Sequence, residues 1–423
     1  MKLRKVAAEE PFVLAAMASL LGALLWLNLR PRLLLQFFYS AEMLALTHLV
    51  TLGFASSLVQ GLSQRLVPQL LSVARPTPRA AWGHCVAWLL GASGIVFHFA
   101  VEGFVGMAWA TLLTLAAVLW FCRNFAGVWR AARGGDPVAR WVAASCCHFA
   151  LVAALGASYA ALRVWGIGAA WLGAPLLDRL GAHLHLGLVG WIGGAIFGWQ
   201  LKFLPGTRAS ERVERWRFWT VQLGLLLLIA ALIGGAPTLR AGALLVAAGL
   251  AARSVPALAS WRRNAPGRVE IAAHALLLLL AVVGVGLAFD WPAADAPLRY
   301  PLELAYGYVG LLGWVVLTVI GTSWKLFSAW VWEERFLPER GLKPTPRASD
   351  LPSAWLRDGS ALAVVAGLAL TVAAILRSAD GSAPLVLLRC GLALHLLGVL
   401  LFAAQFLRIA RWELLKLDWH PPR

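Results

Sequence analysis

Apolar runs of about 20 residues recur from one end of the chain to the other, each long enough to cross a bilayer at ~1.5 Å per residue. Twelve can be counted, at roughly 11–29, 41–67, 81–99, 105–122, 140–162, 180–203, 217–234, 240–259, 270–289, 301–326, 360–377 and 385–407. A backbone facing lipid must satisfy its own hydrogen bonds, so runs of this length leave helices as the spanning form. The expectation is an all-α polytopic membrane protein of twelve transmembrane helices. Its 423 residues, 60% hydrophobic and 13% charged, read as a single integral membrane domain. The first run follows Lys2, Arg4 and Lys5 as a signal peptide would. However, it passes into Leu29-Arg30-Pro31-Arg32 with no small-residue cleavage site, and is expected to be retained.

A net charge of +17 invites a nucleic-acid reading, but the placement of the charge argues against it. With the N-terminus inside, the outer segments hold eight basic residues: Arg30, Arg32, Arg163, Arg179, Arg240, Arg299, Arg377 and Arg389. The other 29 of the 37 lie in inner segments, among them Arg208, Arg212, Arg215 and Arg217. Arg335, Arg340, Lys343 and Arg347 form a second inner group. That asymmetry is the positive-inside pattern and puts both termini in the cytoplasm. The expected setting is a bacterial-type inner membrane, with the lipid bilayer as partner and no nucleic acid. The five cysteines form no C-x-x-C pair. Cys146-Cys147-His148 is the one cluster with soft-metal chemistry, and a packed, reduced pair is its plainer reading.

Three of the runs align without a gap: HLVTLGFASSLVQGLSQRLVP (48–68), HLGLVGWIGGAIFGWQLKFLP (185–205) and YVGLLGWVVLTVIGTSWKLFS (308–328). His48, His185 and Tyr308 lead, followed by Gly53, Gly190 and Gly313, and then Phe54, Trp191 and Trp314. Gly61, Gly198 and Gly321 follow, then Arg65, Lys202 and Lys325. The copies fall on the second, sixth and tenth runs. The expected architecture is therefore three pseudo-threefold blocks of four helices, about 1–135, 136–262 and 263–423. The basic column marks the inner interface, where long stems snorkel, and Pro68 and Pro205 are expected to end their helices there.

Within the second copy Gly187, Gly190, Gly194 and Gly198 share one face of an α-helix. Such a face admits a neighbouring backbone, and it equally leaves room for a flat ligand. The histidines bear on that choice. His48 and His185 are equivalent in two repeats, near the outer end, at a depth where ionisable groups are costly and commonly mark a site. Both rings can reach one inter-helix space and bind opposite faces of a metal macrocycle, because imidazole pairs are ordinary axial ligands of haem iron. His183 lies about 200° around the helix from His185 and must address a neighbouring space.

The run Gly181-Ala-His183-Leu-His185-Leu-Gly187-Leu-Val-Gly190-Trp191, continuing to Gly198 and Pro205, resembles the tenth helix of haem–copper oxidase catalytic subunits. The likeness is nearest to the cbb-type, or C-family, members. In that family the second histidine of H-x-H binds a low-spin haem and the first a high-spin haem. A histidine on the second helix supplies the other low-spin ligand, and His48 matches its position. The resemblance thus implies haem, one group at His48 and His185 and a possible second at His183, with a cytochrome or a quinol as redox partner. Twelve helices in three arcs with both termini inside is also that family's architecture.

Departures narrow the expectation. The sequence has no His-His dipeptide, so the family's paired copper ligands are missing, and copper is not secured. The H-x-H lies in the second block, and Tyr306 and Tyr308 stand at its place in the third. Complete dioxygen reduction at a haem–copper centre is not expected. Shorter oxidase-like relatives, including NnrS-type haem membrane proteins linked to nitric oxide stress, offer a closer parallel.

Other polar residues have two readings each. His98 is either a second metal ligand beside His183 or an interfacial histidine. His395 either reaches a cofactor or makes an inter-helix hydrogen bond. Glu303 is a proton carrier near Tyr306 or a solvated helix start. Arg179, Arg299 and Arg389 pair with haem propionates or lie at the interface. His84, His274 and His420 carry no expected role.

The leading expectation is a haem-binding membrane protein acting in respiratory electron transfer or in nitric oxide or oxygen handling. The alternatives are a transporter with a central pathway, and an accessory factor for terminal oxidase assembly that handles haem or copper.

Overall fold

The computed structural model describes residues 7–167, 176–203, 209–259 and 267–414. Within them are twelve helices long and apolar enough to cross a membrane. They are α1 (Glu9–Leu29), α2 (Ala41–Leu71), α3 (Pro78–Ala100), α4 (Phe104–Asn124), α5 (Pro137–Trp165) and α6 (Leu177–Phe203). The second half holds α7 (Glu211–Gly234), α8 (Leu239–Ala259), α9 (Arg268–Ala288), α10 (Arg299–Arg335), α11 (Ala354–Asp380) and α12 (Leu385–Trp412). All twelve coincide with the apolar runs, and no strand occurs among the described residues. Pro205, Arg208 and His420 lie outside the described residues.

Local chemistry fixes the helix ends. Thr77 and Asp136 cap α3 and α5 by accepting from backbone N–H groups, and a proline follows each at the first helical position. Ser210 and Ser353 cap α7 and α11 in the same manner. Gly166 and Gly235, both at φ 67°, stop α5 and α7 in the left-handed conformation that glycine adopts without a Cβ clash. Pro68, expected to end its helix, lies inside it, and α2 runs on to Leu71. A proline in the last turn removes one helical hydrogen bond near an end that is losing them anyway. The tenth helix continues to Arg335, well past residue 326, and there Arg65 of α2 holds Glu333 at 2.6 Å and Glu334 at 2.7 Å.

The helices are not uniformly α. Wider π-helical turns occupy Leu49–Ser56 in α2, Leu186–Gly193 in α6 and Val309–Val315 in α10. Each begins at the residue after His48, His185 or Tyr308, the first column of the sequence alignment. A π-turn is rare and interrupts the i→i−4 ladder, so its recurrence at one register in three helices marks a shared local design.

These three segments meet at the centre of the molecule. Trp191 Nε1 donates to Ser56 Oγ at 2.9 Å, joining α6 to α2. A Cβ on Gly310 would come within 2.9 Å of Leu188, and one on Gly193 within 3.4 Å of Trp314, so α6 and α10 touch closely as well. The α10 apolar stretch is 78% buried and that of α9 only 22%, which separates the inner helix from one facing lipid.

Outer helix pairs repeat a second register. In α7–α8 a Cβ on Gly242 would lie 2.5 Å from Leu228 N, and one on Gly224 2.6 Å from Val246 N. In α11–α12 Gly391 faces Thr371 and Gly367 faces His395, each glycine again meeting the residue four positions after the glycine of the partner helix. Gly91 of α3 meets the backbone of Thr114 in α4 in the corresponding way. Backbone-to-backbone packing of this kind needs small residues, and it supplies contact where lipid gives no hydrophobic drive.

Candidate functional site

A cavity of about 620 Å³, the size of a ligand pocket, lies among α2, α6 and α10 and extends to α7, α8 and α9. His48, His183 and His185 all line it, as do Tyr306 and Tyr308. Aliphatic side chains supply most of the remaining wall. Asp178, Arg299 and Glu303 stand at one end, where α6 and α10 begin. Arg299 holds Glu303 at 2.6 Å.

The two repeat-equivalent histidines are fixed in the same way. His48 Nδ1–H donates to Leu44 O at 2.7 Å, and His185 Nδ1–H donates to Gly181 O at 2.7 Å. A carbonyl can only accept, so the proton of each neutral ring sits on Nδ1 and the lone pair on Nε2. Each ring is half-buried, with its open side on the cavity wall. An Nδ1–H held by a carbonyl, which leaves the lone pair on Nε2, is the usual preparation of a metal-binding imidazole.

The remaining groups are arranged differently. Tyr306 Oη lies 3.5 Å from His185 Nε2, at the outer limit of a hydrogen bond from the phenol. His183 turns toward α5: a Cβ on Gly156 would sit 3.1 Å from its Cε1, and its ring lies 5.9 Å from Tyr159. The buried Nδ1 of His183 has no hydrogen-bond partner. An unpartnered buried nitrogen is costly, and a ligand in the adjoining cavity would relieve it. Tyr308 takes the first-column position in the third repeat, with its hydroxyl 3.0 Å from His395 Nδ1. His395 therefore makes an inter-helix contact.

Several expected site residues lie elsewhere. Gly187 lines the cavity, but Gly190 and Gly194 do not. They receive α5 instead: a Cβ on Gly190 would lie 2.7 Å from the His148 ring, and one on Gly194 3.1 Å from Ser145. The physical reason is that this face of α6, Gly187 included with its would-be Cβ 3.7 Å from Val152, packs along successive turns of α5 at Val152, His148, Ser145 and Trp141. Gly190, Gly194 and Gly198 are thus packing positions for α5. His98 is also removed from the site. Its Nδ1–H donates to Gly103 O at 2.6 Å and its ring packs on Gly106, closing the turn between α3 and α4. Of the three outer arginines, Arg299 alone reaches the cavity wall. Asp178 escaped sequence reading altogether; an acid in the first turn of an apolar helix was its only signal.

Away from the cavity, His84 lies between Gln60 at 2.7 Å and Gln64 at 3.4 Å, and His274 sits 3.2 Å from Ser254. Arg253 is buried in α8, donating to Phe197 O and to Gln200. Among the described residues, no three or more His, Cys, Asp or Glu side chains converge closely enough to hold a bare metal ion. No family model matches the chain, and no curated protein matches it.

Proposed function

We propose that the protein binds haem in this cavity, through Nε2 of His48 and His185, and acts in electron transfer or in handling nitric oxide or oxygen. One observation carries the reading. Two histidines at the same repeat position make the same Nδ1–H to carbonyl bond and line one largely apolar cavity. Bound iron would supply one-electron chemistry there. The chain's own part is to fix both imidazole tautomers, to exclude water with the aliphatic wall, and to offer Arg299 as a cation for a carboxylate at the polar end.

The wider assignments belong to the same proposal. The repeated π-turns and glycine registers support three blocks of four helices. The basic asymmetry of the loops supports cytoplasmic termini and an inner-membrane location. The resemblance of the 181–205 stretch supports an oxidase-like relative that lacks the copper ligands.

The test is a reduced-minus-oxidised absorbance spectrum of the purified protein, with a pyridine haemochrome assay, beside His48→Ala and His185→Ala. Sharp six-coordinate bands in the wild type, lost in both variants, are the expected result. A protein that is colourless when expressed with haem available would overturn the reading and leave transport as the use of the cavity. Haem that washes out during purification would instead favour an accessory, haem-delivering role.

A further inference from the structure

The linker between α1 and α2 lies at the end of the cavity where α6 and α10 begin. Its first half, Pro31–Leu35, is a 3-10 helix with Pro31, Leu33 and Leu34 buried. Its second half, residues 36–40, is largely exposed and ends at Ser40, which caps α2. Leu34, Phe38 and Tyr39 of this strap form part of the cavity wall. Tyr39, Leu177 and Asp178 line the cavity and are exposed, so the cavity comes to the surface beside the strap.

Both roots of the strap are firm. Trp26 Nε1 and Arg30 each donate to the Glu42 carboxylate, at 2.8 and 3.1 Å, which ties the end of α1 to the start of α2. Across the cavity a single residue holds it. Tyr300, in the first turn of α10, donates its hydroxyl proton to Gln36 O. Its ring stacks on Phe38, with centroids 5.6 Å apart and planes within 9°, and lies 5.7 Å from Phe37. Among the described residues, no other hydrogen bond, ion pair or ring contact joins residues 31–40 to α10. Tyr300 is well placed to hold, because the neighbouring Arg299 is fixed by Glu303 at 2.6 Å and by Pro292 O at 3.0 Å.

A latch of this composition is releasable. A hydrogen bond and an aromatic pair each raise a closed-to-open ratio by about 2–13-fold. Together they keep the strap docked, yet they break without the unfolding of any helix, as local openings do. We propose that residues 31–40 are a gate over the cavity, latched by Tyr300, and that the cavity's ligand enters and leaves at this end when Phe38 and Tyr39 swing out. The gate belongs to the cavity and holds whatever the cavity binds.

The test places a thiol in the wall behind the gate, where Thr47 lines the cavity. Full-length Thr47→Cys protein is produced in a haem-deficient host, kept in detergent and treated with fluorescein-5-maleimide, and labelling at each cysteine is read by peptide mass. Labelling at position 47 is expected to be slow in this parent. Adding Tyr300→Phe, which keeps the ring and loses the hydrogen bond, should raise the rate about 2–13-fold. Tyr300→Ala should raise it further, since the stack is lost as well. Arg32→Ala, at an exposed strap position outside the latch, should leave the rate unchanged. The buried Cys85 is the internal control and should label slowly in every variant. Equal rates at position 47 in the parent and in Tyr300→Ala would overturn the proposal. So would a rise at Cys85 that matches the rise at position 47, because that signals general loosening. Failure to bind haem would overturn the proposed function and leave this measurement standing, since the assay uses none.

Discussion

At the scale of single residues, the molecule separates glycines that look alike in the sequence. Gly187 has its nearest would-be Cβ contact at 3.7 Å, an ordinary van der Waals distance. Gly190 has the His148 ring at 2.7 Å, and Gly367 faces the backbone of His395. Gly190→Ala should therefore destabilise the protein by about 1–3 kcal/mol, the usual cost of overpacking. Gly367→Ala should cost at least as much, because backbone cannot rotate aside, and Gly187→Ala should be tolerated. Melting temperatures in detergent rank the three, and equal losses would contradict the separation. His48 and His185 were legible as candidates from their matching register and depth. Their Nδ1 partners were not, because a tautomer depends on which carbonyl the folded ring meets.

At the scale of elements, the π-turns decide where the first-column residues point. One residue added to or taken from an α-helix rotates everything beyond it by about 100°. Inserting one alanine after Leu52 in α2 adds a residue that the already widened turn cannot absorb, and should swing His48 off the cavity while α2 still forms. Loss of the haem bands at unchanged expression is the expected outcome; bands that survive would show that the wide turn does not aim the ring. Periodicity located all twelve helices, since about 20 apolar residues leave no other spanning form. It also put the α6 glycines on one face, but could not say that α5 fills that face at Gly190 and Gly194.

At the scale of the whole molecule, three inner helices hold the cavity and charged contacts tie their far ends. Arg65 of α2 bridges Glu333 and Glu334 of α10, and Lys325 of α10 meets the buried Glu270 of α9 at 2.9 Å. Arg65→Ala should lower stability by about 1 kcal/mol, and added salt should narrow the difference from the wild type. Melting curves at low and high salt read both effects. A loss that grows with salt would point to the contact of Arg65 with Trp330 in place of the ion pairs.

The sequence by itself determined twelve helices long and apolar enough to cross a membrane, because hydropathy and helix length are properties of contiguous residues. It also determined that three helices share one motif, since a repeat is written in the order of residues. Tertiary structure alone decided that His183 turns toward Gly156, that Tyr306 approaches His185, and that His98 closes a turn and does not line the cavity. Only tertiary structure brought Cys122 Sγ to the backbone carbonyl of Cys146, 24 positions apart. Those outcomes depend on the phase of each helix about its axis and on which neighbour fills each notch, and neither is fixed by any one stretch of chain.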